Sequence, residues 1–322
     1  MITLLLRRLL HAVAVIAVAV TLGFALIRLP PGDALSGDTT QVGRSAASRD
    51  LLRARYGMDA PISAQWLGYV IGAVRGDLGT SVVDGRPVSA MLGTALGNSL
   101  VLSGTGLLAA IVVGTLVGGA QGWRPRWLPG RAIGTALTAT YAMPEFVLAI
   151  GLIGILSYAT GWFPVGGMHD PITTLTGSAR ERLADLGAHL VVPSLALALG
   201  WGAAIARQQR VALAETVGTD FVRSARAKGV SEGGVLLHHA LRPSLSSVTA
   251  TIGLMLPVLV GGAVVIEVVF AWPGMGTLLL RAVGQRDTPV VSGAIIVIAA
   301  AVSASTLLVE LAVRALDPRL RR

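Results

Sequence analysis

The chain has 322 residues, of which 53% are hydrophobic and only 13% charged, with 40 glycines and a formal charge of +9. An average soluble domain is about 25% charged, so the composition excludes an ordinary water-soluble globule and makes the bilayer the expected solvent. Cysteine is absent, which excludes disulfides, zinc–thiolate sites, thiol nucleophiles and lipid attachment to cysteine.

Leu9 to Ile27 is an uncharged run of 19 residues. At ~1.5 Å per residue it can cross a ~30 Å hydrocarbon core as a helix. It is longer than the ~7–15-residue apolar part of a signal peptide, and it leads into Arg28 and Pro30-Pro31 rather than a small-residue cleavage site. A retained first span is therefore expected. In the polar stretch that follows, Ser48 can cap a short helix through Tyr56 that Gly57 stops. Pro61 to Val74 carries Ile62, Trp66, Tyr69 and Val70 at helical spacing and ends at Gly76, a helix expected to lie against the outer ends of the spans. Further apolar runs cover Leu96 to Ala120, Ala132 to Trp162, Leu186 to Ala206, Pro243 to Ile266 and Thr288 to Val309. The expectation is an all-α polytopic membrane protein with six transmembrane helices. Residues 1–29 form the N-terminus and first span, 30–92 an extracytoplasmic loop with short helices, and 93–322 a five-helix core that includes a cytoplasmic loop at 207–243.

The basic residues set the orientation. Fifteen of them, including Arg7, Arg8, Arg124, Arg126, Arg131, Arg207, Arg210, Arg242 and Arg314, fall in the termini and the even-numbered loops; the third and fifth loops hold four, Arg180, Arg182, Arg281 and Arg286. The long first loop balances six Arg with six Asp and reports weakly on topology. By the positive-inside rule both termini are cytoplasmic. A nucleic-acid patch is disfavoured, because these cations flank spans and lack interleaved aromatic residues for base stacking.

No catalytic, metal or cofactor motif is present. A phosphate-binding loop needs a lysine after a glycine-rich turn, and the single lysine, Lys228, follows Ala227. The five histidines show no HExxH spacing, no Gly-x-Ser-x-Gly elbow occurs, and His238-His239 reads as the two sides of an amphipathic helix. Carboxylates at membrane depth are costly and usually face a cavity or a partner. Glu145, after Met143-Pro144, where proline removes a helix hydrogen bond and can open a kink, is a candidate for the path or gate, with a helix–helix contact as the equal alternative. Glu267, which precedes Trp272-Pro273-Gly274-Met275-Gly276, is a second candidate for an outer gate, and Glu310 is expected to be interfacial.

The basic loop is the most informative stretch. Thr219 can cap a helix from Asp220 to Lys228, Gly229 can stop it in the left-handed conformation, and Ser231 can cap a second helix running into Pro243. Two short helices meeting at a glycine make a knob on the cytoplasmic face. Ala225 and Ala227 permit close backbone approach, while Arg223, Arg226 and Lys228 offer charge to a partner or to anionic lipid.

The run from Asp220 to Glu232, followed by His239-Ala-Leu-Arg242, resembles the "EAA" loop of ABC-importer permeases, in the version of the oligopeptide/dipeptide/nickel group. The stretches Arg55 to Pro61, Gly76 to Ser81, Pro87-Val88, Trp162 to Gly167, Gly261 to Gly276 and Asp317-Pro-Arg319 resemble the B-type permease of that group in the same order. Arg223-Ser224 stands where the general pattern has Glu-Ala, so no role passes to a glutamate there. The resemblance implies the type I importer permease fold and a bacterial inner-membrane location. It also implies a second, C-type permease, two cytoplasmic ATPase subunits carrying ATP and Mg, and an extracytoplasmic binding protein, with this chain itself no enzyme. Asp220, Arg223, Ala225, Arg226, Ala227, Lys228, Gly229, Ser231 and Glu232 would then form the ATPase-coupling loop, and Pro144, Glu145, Glu267, Trp272, Pro273, Gly274 and Gly276 are the candidates for path or gate. The cargo expected is peptide, with nickel or another small solute as the alternative; an ion-gradient-driven carrier and a structural anchor are the rival classes.

Overall fold

The computed structural model describes residues 2–28, 61–261 and 263–316. The helix expected from Ser48 to Tyr56, the stretch 55–60, the segment 317–319 and the side chain of Glu310 lie outside the described residues. All regular elements described are helical: α1 (Ile2–Arg28), α2 (Ile62–Val74), α3 (Val88–Trp123), α4 (Leu128–Ala142), α5 (Glu145–Leu152) with a π-helical extension (Ile153–Ala159), α6 (Pro171–Thr176), α7 (Ala179–Val217) and α8 (Asp220–Ala227). Then come α9 (Glu232–Gly234), a π-helical stretch (Val235–Leu241), α10 (Arg242–Gly261), α11 (Val264–Val269), α12 (Met275–Gly284) and α13 (Thr288–Leu316). One isolated antiparallel bridge pairs Thr80 with Pro87.

The central unit is α3 packed parallel to α7. Gly106, Ala110, Gly114, Gly118 and Gly122 recur every four residues and form one stripe of α3. A Cβ on Gly106 would stand 2.7 Å from Leu197, one on Gly114 2.7 Å from the Gly202 carbonyl oxygen, and one on Gly118 2.2 Å from the Ala206 carbonyl oxygen. Backbone contact through small residues is how helices gain packing in a solvent as apolar as their own side chains. α10 packs along both α7 and α3, with Val248 buried among Ala110, Ala198 and Ile205. α1 pairs antiparallel with α13, where the Ser292 hydroxyl donates to the Gly23 carbonyl (2.9 Å). Gly293 lies against Val88 and Leu92 at the start of α3. These contacts direct the N-terminus of α1 and the C-terminus of α13 toward the far end of α3, where Trp123 meets the 219–241 segment.

Among the described residues, four helices are long and apolar enough to cross a membrane, at Leu9–Leu26, Val88–Trp123, Ala179–Val217 and Thr288–Leu307. α4 and α5 with its extension pass the same criterion only as a pair bent by 118°. The single span expected from Ala132 to Trp162, interrupted by Glu145 and open to a kink at Pro144, is thus broken. Pro144 has no N–H to donate and drives Met143 into the extended conformation (φ −83°, ψ 141°). The run Pro243 to Ile266 is also divided, into α10 and α11, and does not qualify among the described residues. α7 extends past the apolar run Leu186 to Ala206 at both ends. α7 has 39 residues, about 58 Å at the helical rise, so Arg207 and Arg210 stand on its projecting end rather than in a loop.

Candidate functional site

At the end of the bundle reached by α7, the chain forms the compact knob. α8 buries Val222 and Ala225 against Val235 and Trp123. Its end is closed by two bonds, Gly229 N–H to the Arg226 carbonyl (2.9 Å) and Val230 N–H to the Ala225 carbonyl (3.3 Å). That pairing requires a left-handed residue between them, and Gly229 has φ +79°. No atom lies within 4 Å of a Cβ built there, so conformation rather than space demands the glycine. The Ser231 hydroxyl then accepts from Gly234 N–H (3.3 Å) as the expected cap. Thr219 occupies the cap position of α8 without capping it; its hydroxyl donates to the Thr216 carbonyl instead (2.5 Å).

The charges of the knob have distinct surroundings. Arg226 bonds both carboxylate oxygens of Glu232 (2.9 and 3.3 Å) and lies 5.3 Å from the Trp123 ring centre. This ties the two knob helices to each other and to the end of α3. Arg223 pairs with Asp220 (2.5 Å), both exposed. Lys228, Ala227, Phe221, Val230 and Leu237 are also exposed, giving the knob a mixed apolar and basic outer surface. Beneath it, Gln209 donates to Ser244 (3.0 Å) and Gln208 to Ser247, so the ends of α7 and α10 are bridged.

At the opposite end, Glu267 is 0% exposed. Its carboxylate accepts from the Ser99 hydroxyl (2.6 Å), Gly276 N–H (2.7 Å) and Thr277 N–H (3.2 Å), and so faces the positive end of α12. Ser99 in turn accepts from Met275 N–H (2.7 Å). The buried Trp272 donates its indole N–H to the Asn98 carbonyl (2.9 Å), and the Asn98 amide donates to the Pro273 carbonyl (2.9 Å). α11 ends in the same closure as α8, with Trp272 N–H on the Glu267 carbonyl (2.7 Å) and Ala271 N–H on that of Val268 (3.1 Å). Here a non-glycine, Ala271, holds the left-handed position (φ 49°). A Cβ on Gly274 would stand 2.4 Å from the Glu267 carboxyl carbon, and one on Gly276 2.8 Å from the Val264 backbone. Glu267, Trp272, Pro273, Gly274 and Gly276 therefore form one latch that fastens α11 and α12 to α3.

Pro144 and Glu145 are not part of it. Pro144 is exposed at the break, and Glu145 opens α5 with an exposed side chain. Two further knots tie the loops at this end. Asp287 accepts from the Ser81 hydroxyl (2.5 Å) and Val82 N–H (3.2 Å). Asp185 accepts from Asp170 N–H (3.0 Å), with His169 Nδ1 at 3.3 Å and His189 Nδ1 at 3.2 Å. Asp170 caps α6, and the Thr173 and Ile172 backbone N–H groups hold its carboxyl below the usual carboxylate range.

Sequence reasoning missed Ser99, Asn98, Ser81, Asp287 and the glycine stripe. The four-residue spacing of the stripe was a readable signal. The partners of Glu267 were not, since Ser99 lies 168 residues away.

The comparisons agree with this architecture. A model of the family described as "Binding-protein-dependent transport system inner membrane component" matches residues 89–322. A Brucella ovis protein named as a peptide permease is 37% identical over 318 residues, 98% of each chain. The glutathione transport system permease protein GsiC of Escherichia coli O6:H1 is 33% identical over 325 residues, covering 100% of this chain and 99% of the relative. Among solved structures, the inward-facing MetNI methionine ABC transporter superposes with a TM-score of 0.51 at 18% identity, over 70% of this chain and 96% of that one, a likeness of fold. The chain belongs to the family of binding-protein-dependent transport system inner membrane components, the permeases of ABC importers.

Proposed function

We propose that this chain is the B-type permease of a bacterial peptide importer and forms the translocation path with a second, C-type permease. Two ATPase subunits carrying ATP and Mg dock beneath it, and an extracytoplasmic binding protein delivers cargo from above. The knob is the observation that carries the reading. It is rigidly closed at Gly229, anchored through Arg226 to Glu232 and Trp123, and presents Phe221, Lys228, Val230 and Leu237 outward. Such a surface fits a groove on an ATPase, and its anchoring passes any displacement to α3, α7 and α10. ATP drives transport only if it binds the two states of the assembly unequally.

Six crossings with both termini cytoplasmic fit this role. α10 leads from the knob toward the latch at Glu267 despite its interruption, and the basic residues concentrate at the knob end. The latch is assigned to the outer gate or to the dock of the binding protein. Peptide cargo is supported by the names of the relatives, glutathione itself being a peptide. Reconstitution with the C-type permease, both ATPases and the cognate binding protein should give ATP-dependent uptake of short peptides. Uptake of nickel instead overturns the cargo, and uptake driven by an ion gradient without ATPases overturns the class. If Trp272→Ala leaves turnover stimulated by the binding protein unchanged, the gate assignment fails.

A further inference from the structure

We propose that α2 is a membrane-embedded helix whose outward face is covered by lipid acyl chains of the leaflet away from the knob. The segment has no charge between Asp59 and Arg75, and at 13 residues it is too short to span. One face packs on the bundle: Tyr69, Val70 and Ala73 join the cluster containing Val20, Leu78 and Val88. The Trp66 indole donates to the Thr21 hydroxyl (3.4 Å), and the Tyr69 ring lies 5.9 Å from that of Phe24.

Those contacts set the level of α2 along α1. Thr21 and Phe24 lie five and two residues inside Leu26, the end of the apolar window of α1. At ~1.5 Å per residue this is roughly 3 to 8 Å below the apolar boundary, within the range at which interfacial helices bury their apolar sides. Trp66 and Tyr69 are the residue types found at that level.

The opposite face decides the occupant. With ~100° between residues, Leu67, Ile71 and Val74 share that face, and they are 53%, 42% and 84% exposed. Ala64 and Gly68 fill the space between them and only Ser63 is polar. Val18 and Leu22 of the neighbouring α1, a helix apolar enough to cross the membrane, are exposed as well. A water-exposed helix would not carry apolar residues on both faces at this depth; a lipid-covered one would.

Because this chain has no cysteine, Leu67→Cys, Ile71→Cys and Val74→Cys each give it a single site for a nitroxide label, attached before assembly with cysteine-free partner subunits and reconstitution into phosphatidylcholine–phosphatidylglycerol vesicles. Collision with dissolved oxygen and with a water-soluble nickel chelate is then measured by spin resonance. The proposal expects oxygen collisions to dominate at all three positions and the chelate to dominate at Arg75→Cys. Chelate dominance at Leu67, Ile71 and Val74 means an aqueous surface and overturns it. Low collision with both reagents means that protein covers the face and overturns it equally. Should Leu67→Cys fail to assemble, the other two positions read the same face.

Discussion

Glu267 is the carboxylate on which the end of the bundle opposite the knob is organised. It is buried and meets two backbone N–H groups and a hydroxyl. A buried donor left without its acceptor costs about 1–3 kcal/mol. Ser99→Ala strands Met275 N–H and should lower complex stability by about that much, read as a fall in melting temperature in lipid nanodiscs. Gly274→Ala drives a methyl into the carboxylate and should cost about as much, through strain of the overpacking kind. Asp170 is a second organising carboxylate, on the loop side. Its folded pKa lies below the ordinary value of about 3.9. The stabilisation it gives is therefore complete above the ordinary value and is lost as pH falls through the folded pKa. Hydrogen-exchange protection at Ile172 and Thr173, corrected for intrinsic rates, should stay flat from neutral pH down to that range and fall below it.

Two elements depend on glycine for different reasons. On α3 the stripe from Gly106 to Gly122 is dictated by distance, because a side chain at Gly118 would overlap the α7 backbone at Ala206. Gly118→Val should separate α3 from α7 and abolish accumulation of folded permease, whereas Gly119→Ala, with nothing within 4 Å of its Cβ, should leave it intact; fluorescence-detected size exclusion separates the two outcomes. At Gly229 the requirement is conformational. A β-branched residue in the left-handed region costs on the order of 1–2 kcal/mol and opens the closure of α8 without touching its buried side. Gly229→Val should therefore spare assembly and disturb coupling: ATPase activity no longer rises with cargo-loaded binding protein while uptake falls. Wild-type uptake and stimulation would refute the role given to the knob.

At the scale of the whole molecule, the sequence by itself determined the solvent, the helical class, the chain order of the apolar segments and the knob with its glycine closure. Each of these is local or compositional: a charge-free run, a cap, a left-handed glycine and an excess of arginine need no distant partner to be read. The tertiary structure decided the rest. Pro144 produced a 118° break in place of a kinked span. The 207–243 loop became the end of a long helix followed by the knob, and Thr219 turned its hydroxyl back to Thr216. The partners of Glu267, Ser99 and the start of α12, were set by the packing and not by its neighbours in the chain. These outcomes rest on contacts between residues far apart in the chain, Ser99 with Glu267, Ser81 with Asp287 and Gly118 with Ala206. Apolar periodicity shows that a residue is buried, but only the packed helices show what it meets.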